Sequence, residues 1–172
     1  WAGVKEVILA HYDPNPTVRG QGIQVLQEAG ILVRQGLLEA EAAVQMRPFL
    51  HWCQHRRPVV TVKMAVDANG SVDDRSLNAQ RFTSEECLDH VHALRKECDA
   101  VLVGVETVVR DNPQLTVRRV ETERQPLRII IDPNQRTPKE ALLLNDEHET
   151  LVMGKDFTSL PALLNLLADK EI

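Results

Sequence analysis

Lys63 is the first residue whose position suggests chemistry. It lies within Val59–Val66, on the face occupied by the small residues Thr61 and Ala65, while Val60, Val62, Met64 and Val66 occupy the other. A solvent-facing strand carries more polar side chains than that. A crevice wall has this look, with a cation aimed at an anionic or carbonyl-bearing ligand. A lysine snorkelling past a sheet edge gives the same pattern, and both readings stand. Arg95 lies seven residues after Leu88, so it shares the edge of a helical apolar stripe. There it either caps the helix C-terminus or reaches into a site. The segment Thr107–Arg118 follows the apolar run Ala100–Val105. In an open α/β sheet the ligand crevice lies outside the carboxyl ends of the strands. Gly104, Thr107, Asp111 and Arg118 therefore stand where a ligand is expected, although Asp111-Asn112-Pro113 also reads as a plain turn.

Other groupings carry less. His51 and His55 are one helical turn apart, but no third ligand lies at a usual spacing and no Glu stands between them as in H-E-x-x-H. They read as an exposed helix end. His90 and His92 are two apart on a helix and face different directions, so neither receives a role. Gly20-Gln21-Gly22 lacks the third glycine of a dinucleotide loop and reads as a tight turn feeding a helix.

These residues need elements to position them. Val4–Ala10 reads as a buried strand, Asp13–Pro16 as a turn, and Ile23–Ala29 as a helix stopped by Gly30. Ile31–Val33 is a second strand. Glu39–Trp52 has helical spacing, with Pro48 expected to kink or shorten it. Strand, helix, strand, helix suggests a parallel α/β edge, too small to be a whole domain. The boundary is expected at Arg56-Arg57-Pro58. Beyond it, the strict alternation of Val59–Val66 predicts a strand, and Asn69-Gly70 a turn. Thr83-x-x-Glu86 predicts a capping box for a helix bearing Leu88, Val91, Leu94 and Cys98. Ala100–Val105, Leu127–Ile131 and Leu151–Met153 read as strands of a mainly parallel sheet, and Ser159 as the cap of a last helix.

Composition excludes several classes. Among 172 residues, 20 Lys+Arg against 25 Asp+Glu give a net charge of −5. With only 3% aromatic residues, a phosphate-backbone or base-stacking surface is not expected. No apolar run approaches the roughly 18 residues of a membrane span. Neither nucleic acid nor membrane is an expected partner. The cysteines Cys53, Cys87 and Cys98 form no C-x-x-C pair, which suggests a reducing compartment. The chain opens at Trp1 straight into a strand pattern and reads as a piece of a longer protein.

Several short stretches, in order, resemble a known family. Asp13-Pro14-Asn15-Pro16, Gly20-Gln21-Gly22 and Ala29-Gly30-Ile31 look like the tail of the deaminase domain of the bifunctional riboflavin-biosynthesis deaminase/reductases. Arg57-Pro58-x-Val60-Thr61-x-Lys63-x-Ala65, Leu94-Arg95 and Ala100–Gly104 look like the reductase domain. So do Thr107-Val108, Asp111-Asn112-Pro113-x-Leu115-Thr116-Val117-Arg118 and Arg124–Asp132.

The resemblance implies an α/β chain of two parts. Residues 1–55 would be the remnant of a cytidine-deaminase-like domain. Residues 58–172 would be an incomplete dihydrofolate-reductase-like reductase domain. It also implies NADPH-dependent reduction of 5-amino-6-(5-phosphoribosylamino)uracil to the ribitylamino compound, with hydride delivered to the ribose C1′. Lys63 and Asp111 would act at the reacting sugar. Arg95, Leu115 and Arg118 would bind the phosphorylated substrate, and Ala65, Gly104, Thr107 and Asp111 the NADPH. Zinc would belong to a deaminase part preceding Trp1, and a Glu-Gly-Gly phosphate grip would follow Ile172, so neither site is expected to be complete here. A homo-oligomeric parent in the cytoplasm, or in a plastid, is expected.

The chain departs from the family pattern at Asn69, where an acid is usual, at Ala79 and Arg81, where Ser and Trp are usual, and at Pro133, where Ser is common. The changes at Asn69, Ala79 and Arg81 feed one alternative, a non-catalytic homologue serving as an interaction or structural domain; a separate alternative is a dihydrofolate-reductase-like enzyme for another substrate.

Overall fold

The structure, a computed structural model, describes residues 3–18, 20–73, 76, 83–155, 157–170 and 172. Trp1, Ala79 and Arg81 lie outside the described residues. The chain divides into two compact units, Trp1–Val60 with Leu164–Glu171 and Thr61–Leu163 with Ile172.

In the first unit, β1 (Glu6–Leu9) pairs in parallel with β2 (Leu32–Gln35), in register from Glu6↔Leu32 to Leu9↔Gln35. The connection is shaped by local polar groups. Asp13 Oδ1 accepts the Asn15 amide at 2.9 Å and Asn15 Oδ1 accepts the Thr17 amide at 3.1 Å. Gly20, at φ +70°, precedes α1 (Gln21–Glu28). A Cβ at Gly20 would come within 2.6 Å of the Tyr12 ring, so the first glycine of Gly20-Gln21-Gly22 answers a steric need. Pro48 does what its missing N–H dictates. The helical stretch splits at Met46 into α2 (Glu39–Gln45) and α3 (Arg47–His55), with the proline in the first turn of α3. Arg56 ends α3 in the left-handed region at φ 51°.

In the second unit, α4 (Glu85–Lys96) is capped by Ser84, whose hydroxyl accepts the Cys87 amide at 3.3 Å. The expected Thr83 box is thus displaced by one residue, because Ser84 supplies the same oxygen one position closer to the first turn. Strands β3 (Ala100–Gly104), β4 (Leu127–Ile131) and β5 (Thr150–Met153) form one parallel sheet in that order. The registers run from Ala100↔Leu127 to Gly104↔Ile131 and from Arg128↔Thr150 to Ile131↔Met153. Helix α5 (Val105–Asp111) follows β3 directly. Its Val108 packs with Leu115, Ile130, Ala141 and Leu143 into one buried cluster. Helix α6 (Leu160–Asp169) is divided between the two units after Leu163, and Ser159 caps it, accepting the Ala162 amide at 3.3 Å.

One expected strand does not form. Residues 59–66 join neither sheet, and Val60, Val62, Met64 and Val66 are 52–77% exposed. Alternation supplies a face, but a strand also needs a neighbouring edge to take its backbone N–H and C=O groups. No described strand pairs with this segment. After this segment, Asp67 Oδ1 accepts the amides of Asn69 and Ser71, each at 2.8 Å, closing the Asn69-Gly70 turn.

The sheet holds a charge in its middle. Arg128 interrupts an apolar strand and is fully buried. Its Nη1 donates to Asp146 Oδ2 at 2.7 Å and its Nη2 to Asp146 Oδ1 at 2.6 Å. The carbonyls of Gln114, Leu143 and His148 accept at 3.0, 2.8 and 2.6 Å. The Arg128 guanidinium holds the Asp146 carboxyl down to about 2, from an ordinary 3.8. The folded-state value is the lower one, so this stabilisation is full above the ordinary value and is lost as pH falls through the folded one. With the Asp146 carboxylate partly open to solvent, it amounts to about 1 kcal/mol. Replacing Asp146 by Ala leaves Arg128 a buried cation without its counter-ion. We expect a loss of about 3 kcal/mol in urea unfolding at neutral pH, and a flatter acid limb between about pH 4 and 2. Wild-type stability and an unchanged acid limb would contradict the assignment.

Candidate functional site

The segment between α5 and β4 carries two of the residues singled out by sequence, Leu115 and Arg118, and is met by a third, Arg95 of α4. Few of its backbone groups find partners in a ladder; side chains hold them instead. Arg128 Nη1 holds the Gln114 carbonyl. Arg95 Nη1 donates to the Thr116 carbonyl at 2.7 Å. Gln125 grips Val117 twice, accepting its amide at 2.7 Å and donating to its carbonyl at 2.9 Å. His92 Nδ1 accepts the Arg118 amide at 3.2 Å. Asn112, at φ 41°, closes α5, and its Oδ1 accepts the Leu142 amide at 2.9 Å. Leu115 sits at φ 56° with its side chain buried in the core cluster. A leucine in the left-handed region is strained and persists only where the surroundings hold it. The four side chains and the core do so here.

The electrostatics are lopsided. Arg119 is neutralised by Glu85 at 2.7 Å and Asp89 at 2.5 Å. Among the described residues, no carboxylate pairs with Arg95 or Arg118. Arg95 is partly buried, and burial together with the Arg118 cation lowers its pKa from the ordinary guanidinium value. Two adjacent cations without an acid suit an anion, and two guanidiniums suit the oxygens of a phosphate. Arg95 therefore reaches into this segment rather than capping its own helix.

The other expected residues are placed as follows. Gly104 ends β3, and the space above it is open, with nothing within 4 Å of where a Cβ would stand. Thr107 is half-buried in α5, and Asp111 is exposed at its last position. Lys63 is exposed and Ala65 half-buried in the extended segment. Arg95, Leu115 and Arg118 are gathered around one backbone segment; no hydrogen bond or ion pair joins Lys63 to Asp111 among the described residues. Pro133 is exposed just beyond Asp132. Burial opposes the ionisation of Asp132, but donors from the Arg136 amide and from the Thr137 amide and hydroxyl outweigh it and hold its pKa down.

Sequence reasoning gave no role to His92, and it did not single out Gln125 or Arg128. Signals were present for two of them. His92 lies four residues after Leu88 and three before Arg95, on their side of α4. Arg128 is a charge inside Leu-Arg-Ile-Ile-Ile, where a buried parallel strand should be wholly apolar. Gln125 had no local signal. Among the described residues, no group of three or more His, Cys, Asp or Glu is placed to hold a metal. The His51 and His55 rings lie 4.5 Å apart, tilted against each other. No described helix is long and apolar enough to cross a membrane.

Comparison with known proteins shows a family and a shared fold. Residues 58–172 match the family described as the RibD C-terminal domain. The riboflavin biosynthesis protein RibD of Aquifex aeolicus is 42% identical over 155 residues, covering 90% of this chain and 44% of that protein. Acinetobacter baumannii RibD superposes with a TM-score of 0.87 at 31% identity, over 98% of this chain and 52% of that one. A diaminohydroxyphosphoribosylaminopyrimidine deaminase/5-amino-6-(5-phosphoribosylamino)uracil reductase from Thermotoga maritima gives 0.88 at 30% identity, over 99% and 52%. The chain thus spans about half the length of the relatives it matches.

The clamp on Val117 can be tested apart from any activity. Gln125→Ala leaves a buried amide and carbonyl without partners, at a cost of about 1–3 kcal/mol. Hydrogen exchange at the Val117 amide should accelerate in step with the loss measured by urea unfolding. Unchanged exchange would show that Gln125 does not hold the segment.

Proposed function

The chain belongs to the RibD C-terminal domain family, and on that premise we propose that it serves riboflavin biosynthesis as part of an NADPH-dependent reductase. The substrate is 5-amino-6-(5-phosphoribosylamino)uracil, and the product carries a ribityl group in place of the ribosyl group. The observation that carries this reading is the pair Arg95 and Arg118, which no carboxylate among the described residues neutralises; Arg118 lies on the strained backbone segment and Arg95 bonds to it at Thr116. A phosphorylated sugar supplies the missing negative charge.

The residues at the carboxyl end of β3 fit the cofactor. Open space above Gly104 lets a ligand approach the backbone, and Thr107 adds a hydroxyl beside it. Gly104, Thr107 and Asp111, with Ala65, would hold NADPH, which supplies hydride to the opened sugar when bound. The chain's own groups do the rest. Arg95 and Arg118 hold the phosphate and so fix the position of the sugar. The backbone of Leu115 shapes that side of the site while its side chain stays in the core. Lys63 and Asp111 carry protons to and from the sugar as its ring opens and C1′ is reduced. Free Cys53, Cys87 and Cys98 suit a reducing compartment such as the cytoplasm.

Two variants test the reading in the enzyme that contains this chain, with NADPH oxidation as the assay. Arg118→Ala should raise KM about 10-fold or more for the phosphorylated substrate, as expected for a lost charge-assisted contact. A dephosphorylated analogue should be affected far less, and equal losses would argue against a phosphate role. Lys63→Ala should lower kcat by about 10²-fold or more with little change in NADPH affinity. An unchanged kcat would favour the non-catalytic homologue, a reading that draws on the lack of a hydrogen bond or ion pair between Lys63 and Asp111 among the described residues.

A further inference from the structure

His92 is the buried titratable side chain that the proposed chemistry leaves unused. It is 3% exposed on α4, and it bonds to the backbone of Arg118, 26 residues further along the chain. We propose that His92 is a positioning residue of the anion site: its neutral ring accepts the Arg118 amide and sets Arg118 beside Arg95, and protonating the ring dismantles the site. This rests on the reading of Arg95 and Arg118 as the phosphate-binding pair.

The hydrogen bond fixes the chemistry. A backbone amide only donates, so the Nδ1 that meets it must present a lone pair, and in the neutral ring the proton sits on Nε2. A protonated imidazole has two N–H groups and no acceptor. Nδ1 and the Arg118 amide would then be two donors facing each other inside the protein, and one must move. The next residue back, Val117, is held at both backbone groups by Gln125, and Thr116 is held by Arg95. The backbone is therefore anchored up to Val117, and the displacement falls on Arg118.

The charges around the ring act in the same sense. From α4 come Arg95 and Asp89, and from the facing segment come Arg118 and Arg119. Asp89 is engaged, with Glu85, by Arg119. Burial first, and then the three arginines, push the ring's pKa below its ordinary 6.5, while Asp89 opposes them weakly. The ring is neutral at neutral pH, and its folded-state value lies below the unfolded one. The arrangement is therefore complete above the ordinary imidazole range and is lost as pH falls below it.

The experiment uses the 172-residue chain with ribose 5-phosphate as the probe, binding being measured by calorimetry. Nitrogen NMR of the histidine rings should show His92 as the Nε2–H form at neutral pH. His92→Leu, which cannot accept, should weaken binding about tenfold. His92→Asn places an amide oxygen near the Nδ1 position and should stay within about twofold of wild type. It should also remove the site's own acid sensitivity. Between about pH 7.5 and 5, wild type should lose several-fold more affinity than His92→Asn, the probe's own ionisation being common to both. If His92→Leu does not fold, the NMR form and the Asn comparison decide alone. A ring protonated on Nδ1 at neutral pH, parallel pH profiles, or a folded Leu variant that binds like wild type would overturn the proposal. Arg118→Ala separates the two levels. If it leaves binding unchanged, the phosphate-site reading falls and this proposal with it. If it weakens binding while His92→Leu does not, only the role of His92 falls.

Discussion

A guanidinium buried within a parallel sheet forgoes its hydration, and it is tolerable only where the protein replaces water at nearly every N–H. Arg128 meets that demand with one carboxylate and three carbonyls, leaving Nε as its only buried nitrogen without a partner. The acceptors come from separate stretches: Gln114 before β4, Leu143 in the short 3-10 turn Leu142–Leu144, and Asp146 and His148 before β5. Each acceptor must stand where the fork of the guanidinium points, so a single side chain fixes two connections at once, α5 to β4 and β4 to β5. Apolar packing alone would fill the same volume without dictating where those carbonyls lie. Ile130, two residues on and on the same face, supplies the apolar part by packing on Leu115 and Leu143.

The candidate site is built outward from that clamp. Between Gln114 and Arg118 the chain is neither helix nor strand, so its polar backbone groups need partners from elsewhere. Arg128, Arg95, Gln125 and His92 provide them, and the positive φ of Leu115 is held between a bonded carbonyl on one side and the core on the other. The arginines of this region divide by their partners. Arg128 and Arg119 have carboxylates and serve the structure. Arg95 and Arg118 have none among the described residues. A cation held in place without a counter-ion is electrostatic potential in reserve, and it falls to a ligand to use it.

The parts of the fold that local pattern controls were legible. The apolar run of β4 ends where Asp132-Pro133 stops it, Pro48 splits the helical stretch at Met46, and Ser159 caps α6. Each depends on a residue and its near neighbours. The pattern misled where the outcome depends on a partner far away in sequence. Residues 59–66 alternate as a strand should, yet a strand is a pairing, and alternation does not name the partner. The cap at Ser84 rather than Thr83 is a choice between adjacent hydroxyls that spacing cannot resolve. His92 looked idle because its function is a bond to the backbone of Arg118, and backbone groups leave no trace in residue types. Gln125 is hidden for the same reason.

The same distinction bears on the site residues. Arg95 offered two readings from α4 alone, a cap for its own last turn or a reach beyond it. The Thr116 carbonyl decides between them, because the contact spans 21 residues and draws the side chain away from the helix end. Once Arg95 is spent on Thr116 through one nitrogen, no acid among the described residues meets its remaining N–H groups. Local sequence could supply the cations but not their lack of neutralisation, which is a property of everything around them. That lack separates Arg95 and Arg118 from Arg119, although Arg118 and Arg119 are adjacent in the chain. Function in this segment is thus written less in which residues are present than in which, among the described residues, have no carboxylate beside them.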